Sequence, residues 1–518
     1  MSNNQVWDDE YEVVVVGSGA AALAGAYTAA RRGLKTLLVE KTNLLGGASA
    51  YSGASCWLPG TQVQQRADVE DSGESAKAYL QAVMGDHEVE RREAFVDTAP
   101  ELVEFFESDP AIEFYWTAFP DYFNAHESKP LGRSMMPVDL PREEIGELAD
   151  LVRPLVEYDR YNQPHPDGPL TAGQALIGRL LLALTNTGNG TIQLETELVD
   201  VVSEDGRVTG AIVKNAEGTR RIRATEGVIL GAGGFEANQD LRTLNGTPGN
   251  SGWTMAPAGA NTGTAIRAGQ KAGGVVEQLH QAWWCPGAAQ PKGNAAFALG
   301  FRGGVWLDAN GQRFANECLP YDQMGRVLAA APERIPSWFI FDSRFGGELP
   351  GIMRPFNTTP QEHLDAGTWV KADTLDELAA ATGLPADALQ ASIERFNGFT
   401  VTGVDEDFHR GENPYDQFFA DPAYGPGPTL IPVDQAPFYA ARMVLSDLGT
   451  KGGLRTDVDA RVLREDGTAV EGLYAVGNTS ASFSGGFYPG PGTPLGSGMV
   501  FAYRAAQTLK APVQAQVG

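Results

Sequence analysis

Cysteine is nearly absent. Three residues in a chain of 518 cannot build a disulfide framework. Cys56, Cys285 and Cys318 lie in different segments, with neither metal-ligand nor redox-pair spacing. They are expected to be free thiols in a reducing compartment. Histidine is scarce as well. None of His87, His126, His165, His280, His363 and His409 pairs at metal-ligand spacing, so no metal site is expected. Positive charge is also short: 39 Lys and Arg face 65 Asp and Glu, for a net charge of -26. Such a surface repels phosphate backbones and anionic headgroups, which argues against a nucleic-acid partner. No run of about 18 uninterrupted apolar residues occurs, so no transmembrane helix is expected. The stretch Met1–Gly17 has neither the basic start nor the apolar core of a secretory signal. The reading is a soluble, cytoplasmic protein, with peripheral membrane contact left open.

What is present is apolar mass and glycine. With 42% hydrophobic residues, the chain can bury a large core, and its length suggests roughly two to four domains. The 62 glycines are spread without a repeat, as short turns in an α/β framework require. Tyr11 to Val16 is a valine-rich run, read as a buried parallel strand. Gly17-Ser18-Gly19 follows it. Ala20 to Arg32 then sets Leu23, Ala26, Tyr27 and Ala30 on one helical face, and Gly33 stops the helix. Thr36 to Val39 reads as a second strand, ending at Glu40.

Gly17-x-Gly19-x-x-Ala22 thus sits between a strand and a helix, the context that a dinucleotide fingerprint needs. The first glycine permits a tight turn. The second lets the backbone approach a pyrophosphate, with Ser18 between them. The third position must be small, and Ala22 is. The helix N-terminus offers its N–H groups to phosphate. Glu40 stands where an acid hydrogen-bonds a ribose hydroxyl.

Further along, residues 60 to about 190 read as mostly helical, with proline-rich interruptions at 119–142 and 161–169. Residues 191–202 and 206–214 read as a strand pair, and 227–230 as a strand entering Gly231-Ala232-Gly233-Gly234. Amphipathic helices are expected at 374–382 and 385–397, and a final helix from near Gly496 through Ala506. The acidic run Asp405-Glu406-Asp407 reads as a solvated loop. The order implies a nucleotide domain at 1–280 and 450–518, with a second domain inserted at 281–449.

Three later segments favour FAD over NAD. Leu45-Gly46-Gly47-Ala48-Ser49 resembles the loop that turns back along FAD in glutathione-reductase-like folds. Gly231-Ala232-Gly233-Gly234 and the stretch Gly472 to Asn478, which contains Gly477, resemble that superfamily's secondary flavin motifs. Pro494-Leu495-Gly496 precedes the final helix, whose positive end would stabilise a reduced flavin anion.

The resemblance then becomes specific. The stretch from Gly47 to Gly60, containing Ala48-Ser49-Ala50-Tyr51-Ser52-Gly53, is similar to the 3-ketosteroid Δ1-dehydrogenase signature. So are Phe119-Pro120-Asp121-Tyr122, the stretch Glu317 to Gln323, the stretch Leu445 to Leu454, and the stretch Phe487 to Gly496. The similarity covers nearly the whole chain. It implies a glutathione-reductase-like Rossmann FAD-binding domain in discontinuous segments, with an inserted α+β catalytic domain. It implies non-covalent FAD, with Lys41, Ser52, Gly53 and Val199 joining the motif residues as contacts. It further implies 1,2-desaturation of ring A of a 3-ketosteroid in steroid breakdown, with an external electron acceptor.

In that reading the Tyr488 hydroxyl and the Gly492 N–H polarise the carbon 3 carbonyl, Tyr321 takes the carbon 2 proton, and Tyr122 assists it. Trp283, Trp284, Met255 and Phe487 either line the steroid pocket or pack ordinary core. Residues 123–134 depart from the family pattern, which bears on the steroid side chain. Two alternatives stand beside this reading. One is a sister flavoenzyme, either a Δ4-ketosteroid dehydrogenase or a fumarate-reductase-like enoate reductase. The other is a flavin-binding protein without turnover.

Overall fold

The computed structural model describes residues 6–163, 165–351, 357–423 and 427–511. Pro164, inside one proline-rich interruption, and residues 1–5 at the N-terminus lie outside them. The chain forms two units. The first comprises Met1–Gly246, Ala256–Ala282 and Gly449–Gly518; the second comprises Thr247–Met255 and Trp283–Leu448.

The first unit is built on a sheet whose parallel part opens with β1 (Asp9–Val16), α1 (Ala20–Arg31) and β2 (Thr36–Val39). Five parallel strands lie in the order Gly190–Gln193, β2, β1, Gly218–Leu230, Ala469–Ala475. Their register is what matters for function. Val16 pairs with both Val39 and Leu230, and Leu230 pairs with Ala475, so four strands end level. The segments that follow them, at 17, 40, 231 and 476, therefore leave one edge of the sheet. β1 reads as a continuous valine run because both of its faces are covered. Val13 and Val15 join one core with Leu23, Tyr27 and Ala502, whereas Val14 and Val16 join another with Phe235 and Ile266.

Three sequence expectations change here. The strand read over 191–202 is two strands, Gly190–Gln193 and Glu197–Glu204. The turn between them is fixed by Glu195 N–H to Thr42 O at 3.1 Å and Thr196 N–H to Glu40 O at 2.8 Å, long-range partners that no local pattern reveals. The final helix runs Thr493–Thr508 with Gly492 as its N-cap, so it starts three residues earlier than Gly496. Pro494 is compatible with that first turn, where an N–H has no intrahelical acceptor. Two segments of the mostly helical region, Phe114–Trp116 and Ser134–Pro137, form a small antiparallel sheet with Cys56–Trp57, which precedes that region.

The second unit is an antiparallel sheet in the order Ala295–Phe297, Ala282–Ala289, Phe438–Thr450, Ser337–Asp342, Val305–Leu307. Helices Leu375–Thr382 and Ala386–Thr402 lay Leu378, Leu389, Ile393 and Phe396 against Val305, Leu307, Ile340 and Ala440. Thr374 caps the first helix in a capping box with Glu377. Asp405 is not part of a solvated loop. It is buried, and it shares Arg313 with Glu317 in an ion-pair cluster that also takes in Arg410.

Candidate active site

The level strand ends assemble the glycine loops. Gly17 follows β1 with φ +102°, and a Cβ there would sit 2.4 Å from the Gly231 carbonyl oxygen. Only glycine fits both constraints. Gly19 is the N-cap of α1 and, lacking a side chain, makes no cap bond of its own. The Ser49 hydroxyl accepts the Ala20 N–H at 3.1 Å, while the N–H groups of Ala21 and Ala22 keep no intrahelical acceptor. The Ser18 hydroxyl donates to Glu40 at 2.7 Å and accepts the Gly46 N–H at 3.0 Å, tying the first loop to the second. The other Glu40 oxygen accepts the Thr42 N–H and hydroxyl, each at 2.9 Å. Glu40 is thus oriented, and a carboxylate so bonded retains acceptor capacity for a ribose. Lys41 reaches Thr262 and Glu197, both at 3.3 Å. Val199 lies two residues beyond Glu197 at a register irregularity, and it is 44% exposed.

Gly46, Gly47, Ala48 and Ser49 enter the short 3-10 helix Gly47–Tyr51. The Ser52 hydroxyl closes it on the Ser49 carbonyl at 2.7 Å, and Gly53 faces open space. Ala232 and Gly233 follow Gly218–Leu230, and the Thr479 hydroxyl donates to the Gly233 carbonyl at 2.8 Å. Gly477 and Asn478 follow Ala469–Ala475 and pack against Ala21 and Gly449 respectively. Pro494, Leu495 and Gly496 form the first turn of the final helix. These residues make a rim of backbone around a helix N-terminus, a cradle that fits a dinucleotide's pyrophosphate. Sequence reasoning missed Glu236. Its buried carboxylate accepts Thr450 N–H at 3.1 Å and bonds Asn261, bracing the 231–234 loop from beneath.

Beside this cradle lie three of the four expected catalytic residues. Tyr488 is buried, and the Tyr122 ring meets it edge-on at 5.2 Å. Tyr122 N–H donates to the Pro489 carbonyl at 2.9 Å. Gly492 has φ +86°, and a Cβ there would lie 1.7 Å from the Ser55 carbonyl oxygen. The Pro491 carbonyl accepts the Ser134 hydroxyl at 2.8 Å and the Ser55 hydroxyl at 3.1 Å. Tyr79 donates to the Pro489 carbonyl at 2.6 Å. The loop bearing Tyr488 and Gly492 is therefore tied at several points. Asp121 braces it further by accepting the Trp57 Nε1–H at 2.8 Å, and the Trp57 ring packs on Gly490. Burial pushes Asp121 up to about 6, although Arg133 stands 3.2 Å away.

Tyr321 belongs to the second unit, as the first residue of the helix Tyr321–Ala329. It is buried, with Phe297 edge-on at 5.1 Å. Trp283, Trp284 and Met255 are also buried in that unit, and Trp284 faces Arg326 at 5.0 Å. Phe487 belongs to the first unit and is partly buried against Phe123 at 6.2 Å. Among the described residues, no group of three His, Cys, Asp or Glu could hold a metal ion, and no helix is long and apolar enough to cross a membrane. All three cysteines are buried free thiols.

The FAD binding domain family model matches residues 12–495. A 3-oxosteroid 1-dehydrogenase of Rhodococcus opacus is 42% identical over 98% of this chain and 99% of its own. A 4-oxocyclohexanecarboxylate 2-dehydrogenase of Sinomonas cyclohexanicum is 34% identical over 96% of this chain and 92% of its own. The crystal structure of 3-ketosteroid Δ1-dehydrogenase from Sterolibacterium denitrificans, in complex with 1,4-androstadiene-3,17-dione, superposes with a TM-score of 0.89 at 32% identity, covering 96% of this chain and 99% of that one. The chain belongs to the 3-oxosteroid 1-dehydrogenase family of FAD-dependent oxidoreductases.

Proposed function

We propose that the chain desaturates ring A of 3-ketosteroids between carbons 1 and 2, with FAD held without a covalent bond. The observation that carries this reading is the tethered loop that sets Tyr488 and Gly492 at the N-terminus of the final helix. Bound FAD supplies the acceptor for the hydride that leaves carbon 1. Gly17, Gly19 and the α1 N-terminus would hold its pyrophosphate, Glu40 its ribose, and the 231–234 and 477–478 loops its far side.

The chain's own residues handle the ketone and the proton. Carbon 2 is acidified only through the carbon 3 carbonyl. Donors preorganised toward an oxygen that gains charge are worth about 3–4 kcal/mol each. The Tyr488 hydroxyl and the Gly492 N–H are those donors, and the helix N-terminus behind Gly492 adds a favourable field. Tyr321 takes the carbon 2 proton. The base is the Tyr321 phenolate, which becomes the neutral phenol as it takes that proton; in its resting form a neutral phenol costs less to bury in an apolar site than a carboxylate. Tyr122 assists Tyr321.

The 4-oxocyclohexanecarboxylate relative shares the ring ketone that this apparatus polarises. The higher identity to the steroid enzyme favours the larger, uncharged substrate. Non-covalent FAD is supported by Cys56, the thiol nearest in sequence to the flavin motifs, which is buried and pushed up to about 12. The buried free thiols also suit a reducing cytoplasm.

The test is anaerobic: androst-4-ene-3,17-dione is added to the yellow protein and flavin absorbance is followed, with Tyr321→Phe alongside. Bleaching in the wild type and none in Tyr321→Phe is expected. Bleaching in both would remove Tyr321 from its role. None in the wild type, with flavin bound, would reject the steroid reaction.

A further inference from the structure

We propose that Lys451 is a positioning residue for carbonyl polarisation, fixing the Phe487–Tyr488 peptide and setting a cation beside the Tyr488 ring. The proposal rests on the ring-A reading above. Lys451 is fully buried. Its ammonium donates to the Phe487 carbonyl oxygen and lies 6.0 Å from the centre of the Tyr488 ring. The Ser484 hydroxyl donates to that same carbonyl at 2.8 Å, so two donors hold the peptide that precedes Tyr488.

The lysine is itself held at its backbone. Its N–H donates to the Gln281 carbonyl at 2.9 Å, and its carbonyl accepts the Ser482 N–H at 3.1 Å. Gly452, the next residue, packs on the Gln278 backbone. The Tyr488 ring is therefore held by a cation and by the edge of Tyr122 at 5.2 Å.

Burying an ammonium is costly. Packing Phe487 does not require one, since Ser484 already donates to its carbonyl. What a cation adds is its field. It draws on the ring's electrons, and a phenol so polarised is a stronger hydrogen-bond donor toward an oxygen that is becoming negative. Lys451 thus acts through Tyr488 and need not touch the substrate.

The experiment measures kcat, KM and flavin content for Lys451→Met, Lys451→Gln and Lys451→Arg with androst-4-ene-3,17-dione, alone and combined with Tyr488→Phe. Lys451→Met is expected to lower kcat about tenfold or more while KM changes by less than about threefold. Lys451→Arg, which keeps the charge, is expected to recover most of the rate. In the Tyr488→Phe background, Lys451→Met is expected to add less than about threefold, since the two residues act as a unit. If Lys451→Met does not fold, Lys451→Gln carries the same expectation, because it keeps a donor to Phe487 and loses only the charge. Unchanged kcat in Lys451→Gln, or a loss fully additive with Tyr488→Phe, would overturn the proposal alone. A wild type that turns over no steroid would overturn it together with the reading it rests on.

Discussion

Asp121 shows how one residue behind the catalytic loop sets a pH dependence. Its carboxylate is buried, accepts from Trp57 and the Lys129 N–H, and faces Arg133, while Arg133 also pairs with Asp71. Tyr79 lies against the same guanidinium at 5.2 Å, its own hydroxyl pushed up by burial. Desolvation outweighs the Arg133 attraction and raises Asp121 from 3.8 to about 6. The folded state therefore holds this proton more tightly than the unfolded chain does. The group's contribution to stability is greatest below the unfolded value and is lost as pH rises through about 6. Wild type should gain about 1 kcal/mol relative to Asp121→Asn between pH 7 and pH 5, read by urea unfolding at each pH. Glu40 was legible in the sequence, because it ends a strand about twenty residues after a glycine turn. Asp121, Glu236 and Lys451 were not. Each is defined by distant partners such as Trp57, Thr450 and Phe487, and their number along the chain says nothing about who faces them.

At the scale of elements, the helix Ala172–Asn186 buttresses the loop that turns along the cofactor. A Cβ on Gly173 would lie 2.3 Å from the Ser49 carbonyl, 2.7 Å from that of Ala50 and 2.8 Å from that of Ser52. Those contacts are backbone, so the loop must move to accommodate even a methyl group. Gly173→Ala should purify with well under half of the wild-type flavin per chain. Its melting temperature with excess FAD should fall by roughly 1–3 °C, for a cost of about 1–2 kcal/mol. A wild-type flavin ratio would show the loop to be tolerant. The opening βαβ was legible because its signals lie side by side: a valine run, two glycines, a helical face and a stop. The start of the final helix was not. Pro494 and the glycines around it look like loop, and only the Gly492 cap geometry shows that they are a first turn. The short sheet of Cys56–Trp57, Phe114–Trp116 and Ser134–Pro137 was hidden for a different reason, since strands of two to four residues carry no period.

For the molecule as a whole, the net charge of -26 has a kinetic consequence. A neutral steroid feels no long-range field, so its kcat/KM should change by less than about twofold between about 0.05 M and 0.5 M salt. The electron-accepting half-reaction should behave differently. A cationic phenazinium acceptor should react more slowly as salt rises, and an anionic indophenol dye faster, each by several-fold. Parallel titrations with the two dyes check this, and identical salt slopes would contradict it. Composition alone made this charge legible. The division of the chain was harder to read, because Thr247–Met255 joins the second unit through contacts with distant strands, such as the Met255 N–H to the Asp447 carbonyl at 2.9 Å.

The level ends of four of the parallel strands also bear on how the protein is made. Three of the cofactor loops, after β1, β2 and Gly218–Leu230, leave the ribosome well before the fourth. Until Ala469–Ala475 is translated, Val228–Leu230 have no neighbour on one side, and the nascent chain carries an open sheet edge. Flavin capture is thus a late step of biogenesis. A cell starved of riboflavin would accumulate chains whose sheet is complete but whose glycine loops enclose nothing.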